Sequence, residues 1–407
     1  MATFATLSKR RASGFSVVEL MVSVVIGMLA LLFATRLVVT GENNKEAALG
    51  GSDSMQNGML ALYSMSSDVG QAGWGLNDTL VNGCNTSFSD TAGYQLASVT
   101  VGGVPITPLT AVVIQSNGAN PDQISMYTGT SAAAVGSLKS TTAIAAGAAT
   151  IATTTKSPYG FAVGDVLVVA PEPATPANPN CSVVQMSGLL PPTNDDTITI
   201  GAGAAFRYNG GGGIGNAYAT GGARIFNLGP QSRLSFHTWS LNNGVMLLRA
   251  TDLAGASNQP AAVIDNIVSI KAQYGFDTRV VAGTYNPAAP LAGGGGGNGM
   301  VVTQWSGPML DADSDGVTGG PGDFQRIVAV RLAVVARSKR TEKPNSSGVC
   351  TATTVQPAVF AAAAPANVAA VPVTVNVAVA GDPIDWKCYR YRVFETIVPL
   401  RNSQWRP

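Results

Sequence analysis

The stretch that most constrains this chain is the apolar run from Gly14 to Ala34. It follows a short polar leader that carries Lys9, Arg10 and Arg11 and no acid, and the chain turns polar again at Arg36. About 20 apolar residues suffice to span a bilayer as a helix. The basic residues ahead of the run are expected to stay cytoplasmic. Two details set the run apart from a common signal peptide. No small-x-small cleavage site follows the apolar core, and one carboxylate, Glu19, lies inside it. A charge in hydrocarbon is expensive and marks a function with a specific partner.

Gly14-Phe15-Ser16-Val17-Val18-Glu19-Leu20, after a basic leader, resembles the class III signal of type IV prepilins and pseudopilins. The resemblance implies that prepilin peptidase cleaves between Gly14 and Phe15 and N-methylates Phe15, leaving Glu19 as the fifth mature residue. The physics agrees. Cleavage leaves a positive amine on Phe15, and Glu19 can neutralise the amine of a neighbouring subunit inside a low-dielectric fibre core. The proline that the family usually carries farther along this helix is absent here.

Size and charge restrict what the rest can be. The 407 residues suffice for one large domain or two modest ones. Loss of the leader takes the formal charge from +1 to −2, and charged residues are only 12% of the chain. No cluster of Lys and Arg offers a nucleic-acid footprint. The abundance of Gly, Ala, Thr and Val points to an extracytoplasmic β-rich protein. The four cysteines, Cys84, Cys181, Cys350 and Cys388, form no CxxC pair, which argues against a zinc ribbon or redox motif. An even count on the exported side of an anchor reads as two disulfides. Sequence order favours Cys84 with Cys181 and Cys350 with Cys388, among three possible connectivities. The second bridge would contribute roughly 4 kcal/mol in the chain-entropy model.

Beyond Arg36 the helical pattern is expected to continue to about Val69, with Met55, Met59, Leu62 and Val69 as a core-facing stripe. Gly41, Gly50 and Gly51 should soften its middle. The glycines of Ser67-Asp68-Val69-Gly70-Gln71-Ala72-Gly73-Trp74-Gly75 should end it. Short β-prone runs follow at Ala111–Gln115, Gln123–Tyr127, Asp165–Ala170 and Asp196–Ile200. Ser232–Ser240 and Gly244–Arg249 read as a hairpin turning through Asn242-Asn243. Val263–Tyr274 reads as a helical turn leading into a strand, Phe324–Arg337 as the strongest strand, and Tyr389–Arg401 as the strand that closes the sheet. Gly210–Gly213 and Gly293–Gly297 are flexible loops. Ser131–Thr155 and Thr351–Ala380 are low-complexity insertions, either extra hairpins or surface excursions.

Three stretches resemble the PilW family of large minor pilins: the helix exit from Ser67 to Gly75, the run Tyr274-Gly275-Phe276-Asp277 with Arg326–Ser338, and the closing Val398-Pro399-Leu400-Arg401-Asn402. The resemblance implies an α+β type IV pilin fold. Residues 1–14 would be a cleaved leader, 15–69 a helix whose residues 15–35 lie in the membrane or fibre core, and 70–407 a head with an antiparallel sheet and large insertions. It also implies a structural role as a minor pilin that initiates assembly or joins the tip complex. Its partners would be other minor pilins, the major pilin, prepilin peptidase, the inner-membrane assembly platform and a tip adhesin. The protein would begin as a single-pass inner-membrane protein with a periplasmic head and end in the pilus at the cell surface. Two other readings share parts of this pattern, a J-like minor pseudopilin of type II secretion and a membrane-tethered adhesin or carbohydrate-binding domain.

No stretch announces catalysis. The lone histidine, His237, lies in a strand, and there is no His-Glu-x-x-His helix, Gly-x-Ser-x-Gly elbow or phosphate loop. One loop does carry chemistry. Asp311, Asp313 and Asp315 followed by Gly316 resemble the opening of a calcium loop, with the carbonyl of Val317 as the next ligand. An EF-hand would place a glutamate at Gly322, so Asp323 is the acid expected to substitute. Calcium fits such an irregular all-oxygen loop better than magnesium.

Overall fold

The structure is a computed structural model that describes residues 14, 16–131, 136–156, 158–172, 180–190, 196–202, 205–279 and 300–404. Two compact units divide the chain, Met1–Ser52 and Asp53–Pro407. One helix, α1 (Val17–Gln71), begins in the first and ends in the second. The Ser16 hydroxyl accepts from the amide of Val18 at its start, satisfying one of the donors a helix N-terminus leaves open. Its segment Val17–Glu42 is long and apolar enough to cross a membrane. The expected soft middle does not break the helix, which continues through Gly41, Gly50 and Gly51. Each glycine costs up to about 1 kcal/mol, and the good helix formers around them outweigh that cost.

In the second unit, α1 buries Ser54, Gly58, Ala61, Met65 and Val69, a stripe at steps of three and four that Ala72 continues just past its end. The expected stripe is therefore half corrected. Val69 is in the core and Leu62 packs against it, but Met55 and Met59 are 47% and 54% exposed. At Gly58 the stripe carries no side chain, and the sheet approaches the helix backbone closely there. A Cβ at Gly58 would fall inside the ring of Phe394.

Two antiparallel sheets receive this stripe. The first contains β1 (Val112–Gln115), β2 (Gln123–Thr128), β3 (Ser235–Asn242), β4 (Val245–Ala250) and β5 (Ala261–Asp265), in the order β5-β4-β3-β2-β1. The second contains β6 (Ile267–Phe276), β7 (Gln304–Ser306), β8 (Ile327–Arg337) and β9 (Tyr391–Pro399), in the order β7-β6-β8-β9. Ala61, Met65 and Val69 share one core with Ile124, Met126 and Trp239 of the first sheet and Ile270, Val330 and Leu332 of the second.

Two local details differ from the sequence reading. The β3–β4 hairpin pairs Asn242 with Val245, so the turn is Asn243-Gly244, one residue later than expected. Both residues have positive φ, 49° and 78°, as a type I′ turn requires. There is also no helical turn before β6. The chain runs in β5, bends at Asn266 with φ 61°, and enters β6 in the other sheet.

β8 is buried along nearly its whole length, in keeping with a sequence that is apolar apart from Arg331 and the terminal Arg337. The face of the second sheet away from α1 is covered by part of the Thr351–Ala380 insertion. Val359, Phe360, Val375 and Val377 pack there on Val268, Ala333 and Val335. The guanidinium of Arg331 reaches into this cover, donating to the Ala362 carbonyl and lying over the ring of Phe360.

A lobe inserted between α1 and β3 carries a six-stranded sheet: Pro108–Leu109, Cys84–Ser87, Asn180–Gln185, Asp165–Pro171, Ala223–Pro230 and Ser137–Lys139, in that spatial order. The Cys84 strand runs parallel to the Asn180 strand, and every other pair in the sheet is antiparallel. Asp165–Pro171 is apolar on both sides because a core lies on each face, one with Val166 and Val168, the other with Leu167 and Val169. Ser131–Thr155 supplies short strands to this lobe at Ser137–Lys139 and Thr150–Ala152. Gly293–Gly297 lies outside the described residues.

Candidate assembly and cation-binding site

Gly14 is exposed, and Glu19 sits exposed in the first turn of α1. Phe15 and the basic leader lie outside the described residues. A carboxylate in the first turn suits the positive end of the helix dipole. Its spacing from Ser16 is that of a capping box.

The cysteines pair as sequence order favours. Cys84 is bonded to Cys181 and Cys350 to Cys388, with Cα atoms 5.9 and 4.8 Å apart. The first bridge ties the parallel strand pair of the lobe. The second closes the loop that contains the cover of the second sheet.

The acidic loop precedes β8. Ligand oxygens of Asp311, Asp313 and Asp315 all lie within 4.8 Å of one another. Asp311 accepts from the amides of Asp315 and Gly316, and Asp315 accepts from the amide of Val317. The crowding has an electrostatic signature. Burial together with the neighbouring Asp315 and Asp311 pushes the Asp313 carboxyl above its ordinary pKa.

Asp323 is placed differently from the expectation. Oδ1 of Asp323 accepts from the amides of Ala312 and Asp313, and Oδ2 from those of Gly319 and Gly320. The buried Asp323 is thus the organiser of the loop, holding its two ends through four backbone donors. Burial lifts its pKa to about 6 against the pull of those amides. The Val317 carbonyl accepts from Gly320. Gly322, where an EF-hand would have its glutamate, has no room for a side chain because the Asp313 carboxylate occupies the space of a Cβ. The donor set drawn together is therefore Asp311, Asp313 and Asp315, three hard oxygen ligands of the type calcium takes.

Sequence reasoning missed a second cluster. His237 on β3 is held between two carboxylates, Nδ1 at 2.9 Å from Asp68 on α1 and Nε2 at 2.9 Å from Asp252. Trp239 donates its indole N–H to the same Asp68 oxygen at 2.7 Å. Burial alone would lower the imidazole pKa, but Asp252 and Asp68 outweigh it and raise the value to about 9. Ser235 Oγ lies 3.0 Å from Nε2, so serine, histidine and Asp68 line up in the manner of a hydrolase triad. Asp252 accepts at the same nitrogen, which leaves the doubly protonated ring no lone pair with which to act as a base. The cluster is a clamp between the helix exit and the sheet. Asp68 stands in the Ser67–Gly75 motif, but nothing in the local sequence announces partners 169 and 171 residues away.

Two family models match the chain. Type IV Pilus-assembly protein W covers residues 240–402, from the end of β3 through β9, and the Prokaryotic N-terminal methylation motif covers residues 9–35. Both describe structural components of pili rather than enzymes. No curated protein and no solved structure gives a significant match.

Proposed function

We propose that this PilW-like prepilin is a low-copy minor pilin of a type IV pilus that initiates assembly or forms part of the tip complex, or does both. The observation that carries the proposal is the union on one chain of a methylation-motif helix and a PilW-type sheet. A pilus-assembly protein with this signal works with a prepilin peptidase and other pilus proteins. We assign Gly14 and Phe15 to cleavage and methylation, and Glu19 to the neutralisation of a neighbouring subunit's terminal amine. The lobe between Cys84 and Pro230 lies outside the PilW match, with one core of its own and one shared with the first sheet. Such an addition is hard to repeat along a tightly wound shaft and is accommodated at an end. The head accordingly faces the periplasm before assembly and the cell exterior after it. We further propose that the Asp311–Asp313–Asp315 loop takes one calcium ion, supported by the convergence of three carboxylates beside the start of β8.

The test uses Glu19→Val in the natural host. The expected result is a chain that is cleaved, begins at N-methylated Phe15 by mass spectrometry and stays in the membrane, yet is depleted from sheared pili. Wild-type protein should appear at pilus ends by immunogold labelling. Normal incorporation of Glu19→Val, or a mature chain beginning downstream of Glu19, would refute the assignment. Intact piliation with failed protein secretion in a deletion strain would move the protein to a secretion pseudopilus.

A further inference from the structure

The face of the first sheet that points away from α1 changes character along its strands. At one end Val113, Tyr127 and Phe236 pack into a core of the lobe. The next positions on the same face are polar: Gln115 on β1, Ser125 and Gln123 on β2, Thr238 and Ser240 on β3. Thr238 stands in register with Ser125 on one side and Arg249 of β4 on the other. Among the described residues this polar half of the face is only partly covered by the lobe. It forms the floor of a cavity of about 250 Å³, walled by residues 95–98 and Pro260.

The cavity is held in shape from beneath and from the rim. Thr238 Oγ1 lies 2.8 Å from both the Tyr94 hydroxyl and Ser125 Oγ. Tyr127 accepts from the amide of Ala97 at 2.7 Å, and the Gln115 amide donates to the Ser98 carbonyl at 2.7 Å. Gln123 in turn donates to Gln115 Oε1. Arg249 is the one charged side chain in the lining, and it is half-buried. Among the described residues no hydrogen-bond or ion-pair partner engages its guanidinium. An Arg held in a concave polar site without a carboxylate is a bidentate anion receptor waiting for its acid.

We propose that this cavity binds an acidic monosaccharide unit, a uronate, with its carboxylate on Arg249 and its hydroxyls on the side chains of Gln123, Ser240 and their neighbours. Three features select this ligand. The lining contains no acid to repel it, and it is dense in hydroxyl and amide groups that match a polyhydroxylated ring. Leu96 and Pro260 offer apolar surface to the ring's C–H face. The volume lies below the usual range for drug-sized ligands and suits one sugar ring. The site is independent of the proposed place in the pilus, since it belongs to the folded head alone.

The experiment is calorimetry and saturation-transfer NMR on the detergent-solubilised full chain, with glucuronate, glucose and N-acetylglutamate as probes. Glucuronate is expected to bind at least about tenfold more tightly than glucose, and to lose about tenfold in Arg249→Gln and on raising the salt. Ser240→Ala should weaken glucuronate without changing the melting temperature, which keeps the test open if Arg249→Gln proves unstable. Absence of glucuronate binding, equal affinity for glucose, or unchanged affinity in both variants overturns the proposal. Tighter binding of N-acetylglutamate than of glucuronate also overturns it, and assigns the pocket to an acidic side chain of a protein partner.

Discussion

The two sheets carried by α1 and the lobe between Cys84 and Pro230 bury apolar surface by different means. The α1-carried sheets contain long strands, with ten residues in β6 and eleven in β8, laid against one helix stripe. Their order comes from packing. The lobe's strands range from two residues in Pro108–Leu109 to eight in Ala223–Pro230. Short strands bury little each, and the lobe adds a disulfide and polar side chains that bond distant backbone. Asn209 donates to the Gln185 and Gly201 carbonyls, and Tyr218 to the Val169 carbonyl. The lesson is that a helix stripe can supply most of the burial for long strands and leave polar ties to its exit, whereas short strands depend on covalent and polar ties throughout.

The largest effect should come from cutting the covalent tie. Cys84→Ser with Cys181→Ser reopens a span of 97 residues. The chain-entropy model puts the loss at about 4–5 kcal/mol. Limited proteolysis should then cleave the lobe, while the fluorescence of Trp239 and Trp305 in the α1-carried sheets stays native. Simultaneous loss of both signals would break the comparison, because it would mean that the sheets depend on the lobe.

The complementary change tests packing. Gly58→Val places a branched side chain where the Phe394 ring lies and should cost about 2–3 kcal/mol. A second change, Phe394→Ala, should recover part of that loss in a double-mutant cycle. Additive costs would show that the helix stripe is looser than the close approach implies.

The His237 clamp gives a pH signature confined to the α1-carried side. The imidazole's folded pKa, about 9, exceeds its ordinary value of 6.5. Its contribution is therefore complete below pH 6.5 and is lost as the pH rises through 9. Allowing for partial solvent access, the loss should be about 2 kcal/mol. Thermal melts from pH 6 to pH 10 should slope downward in wild type and flatten in His237→Gln. Equal slopes would remove the clamp from the comparison.

Calcium should have the smallest effect and the one that couples both regions. The backbone at Pro321, just before β8, lies so close to Gly83, at the start of the lobe, that a Cβ there would come within 2.9 Å of Pro321 Cα. At ten times the dissociation constant, calcium would add about 1.4 kcal/mol. Chelator should lower the wild-type melting temperature slightly and leave Asp313→Ala unchanged. Calorimetry without a calcium isotherm, together with no shift by chelator, would make the loop a turn only.

What could be read in advance follows the same division. The Gly14–Glu19 signal and the apolar run of β8 are local patterns, carried by neighbouring residues, and they were legible. The hairpin β3–β4 was legible to within one residue of its turn. The pairing of the Cys84 strand with the Asn180 strand was not, because it joins segments that share no local pattern. The acidic triplet of the loop before β8 could be seen, since Asp311, Asp313 and Asp315 are close in sequence. The role of Asp323 could not, because a carboxylate that ligates and one that collects amides look alike in a sequence. His237 looked inert for the same reason, as its chemistry is set by Asp68 across the fold.

The last turn of α1 has a consequence in time rather than in space. Asn402 donates its side-chain amide to the carbonyls of Gln71 and Ala72, 2.9 and 3.2 Å away. The helix leaves its final carbonyls open until a residue more than 300 positions later arrives to close them. β9, which completes the second sheet, is equally late. A chain synthesised from its amino end must therefore keep the helix exit and the edge of β8 unclosed until nearly all of it has been made. That interval is when a chaperone or a partner subunit would find the head most receptive.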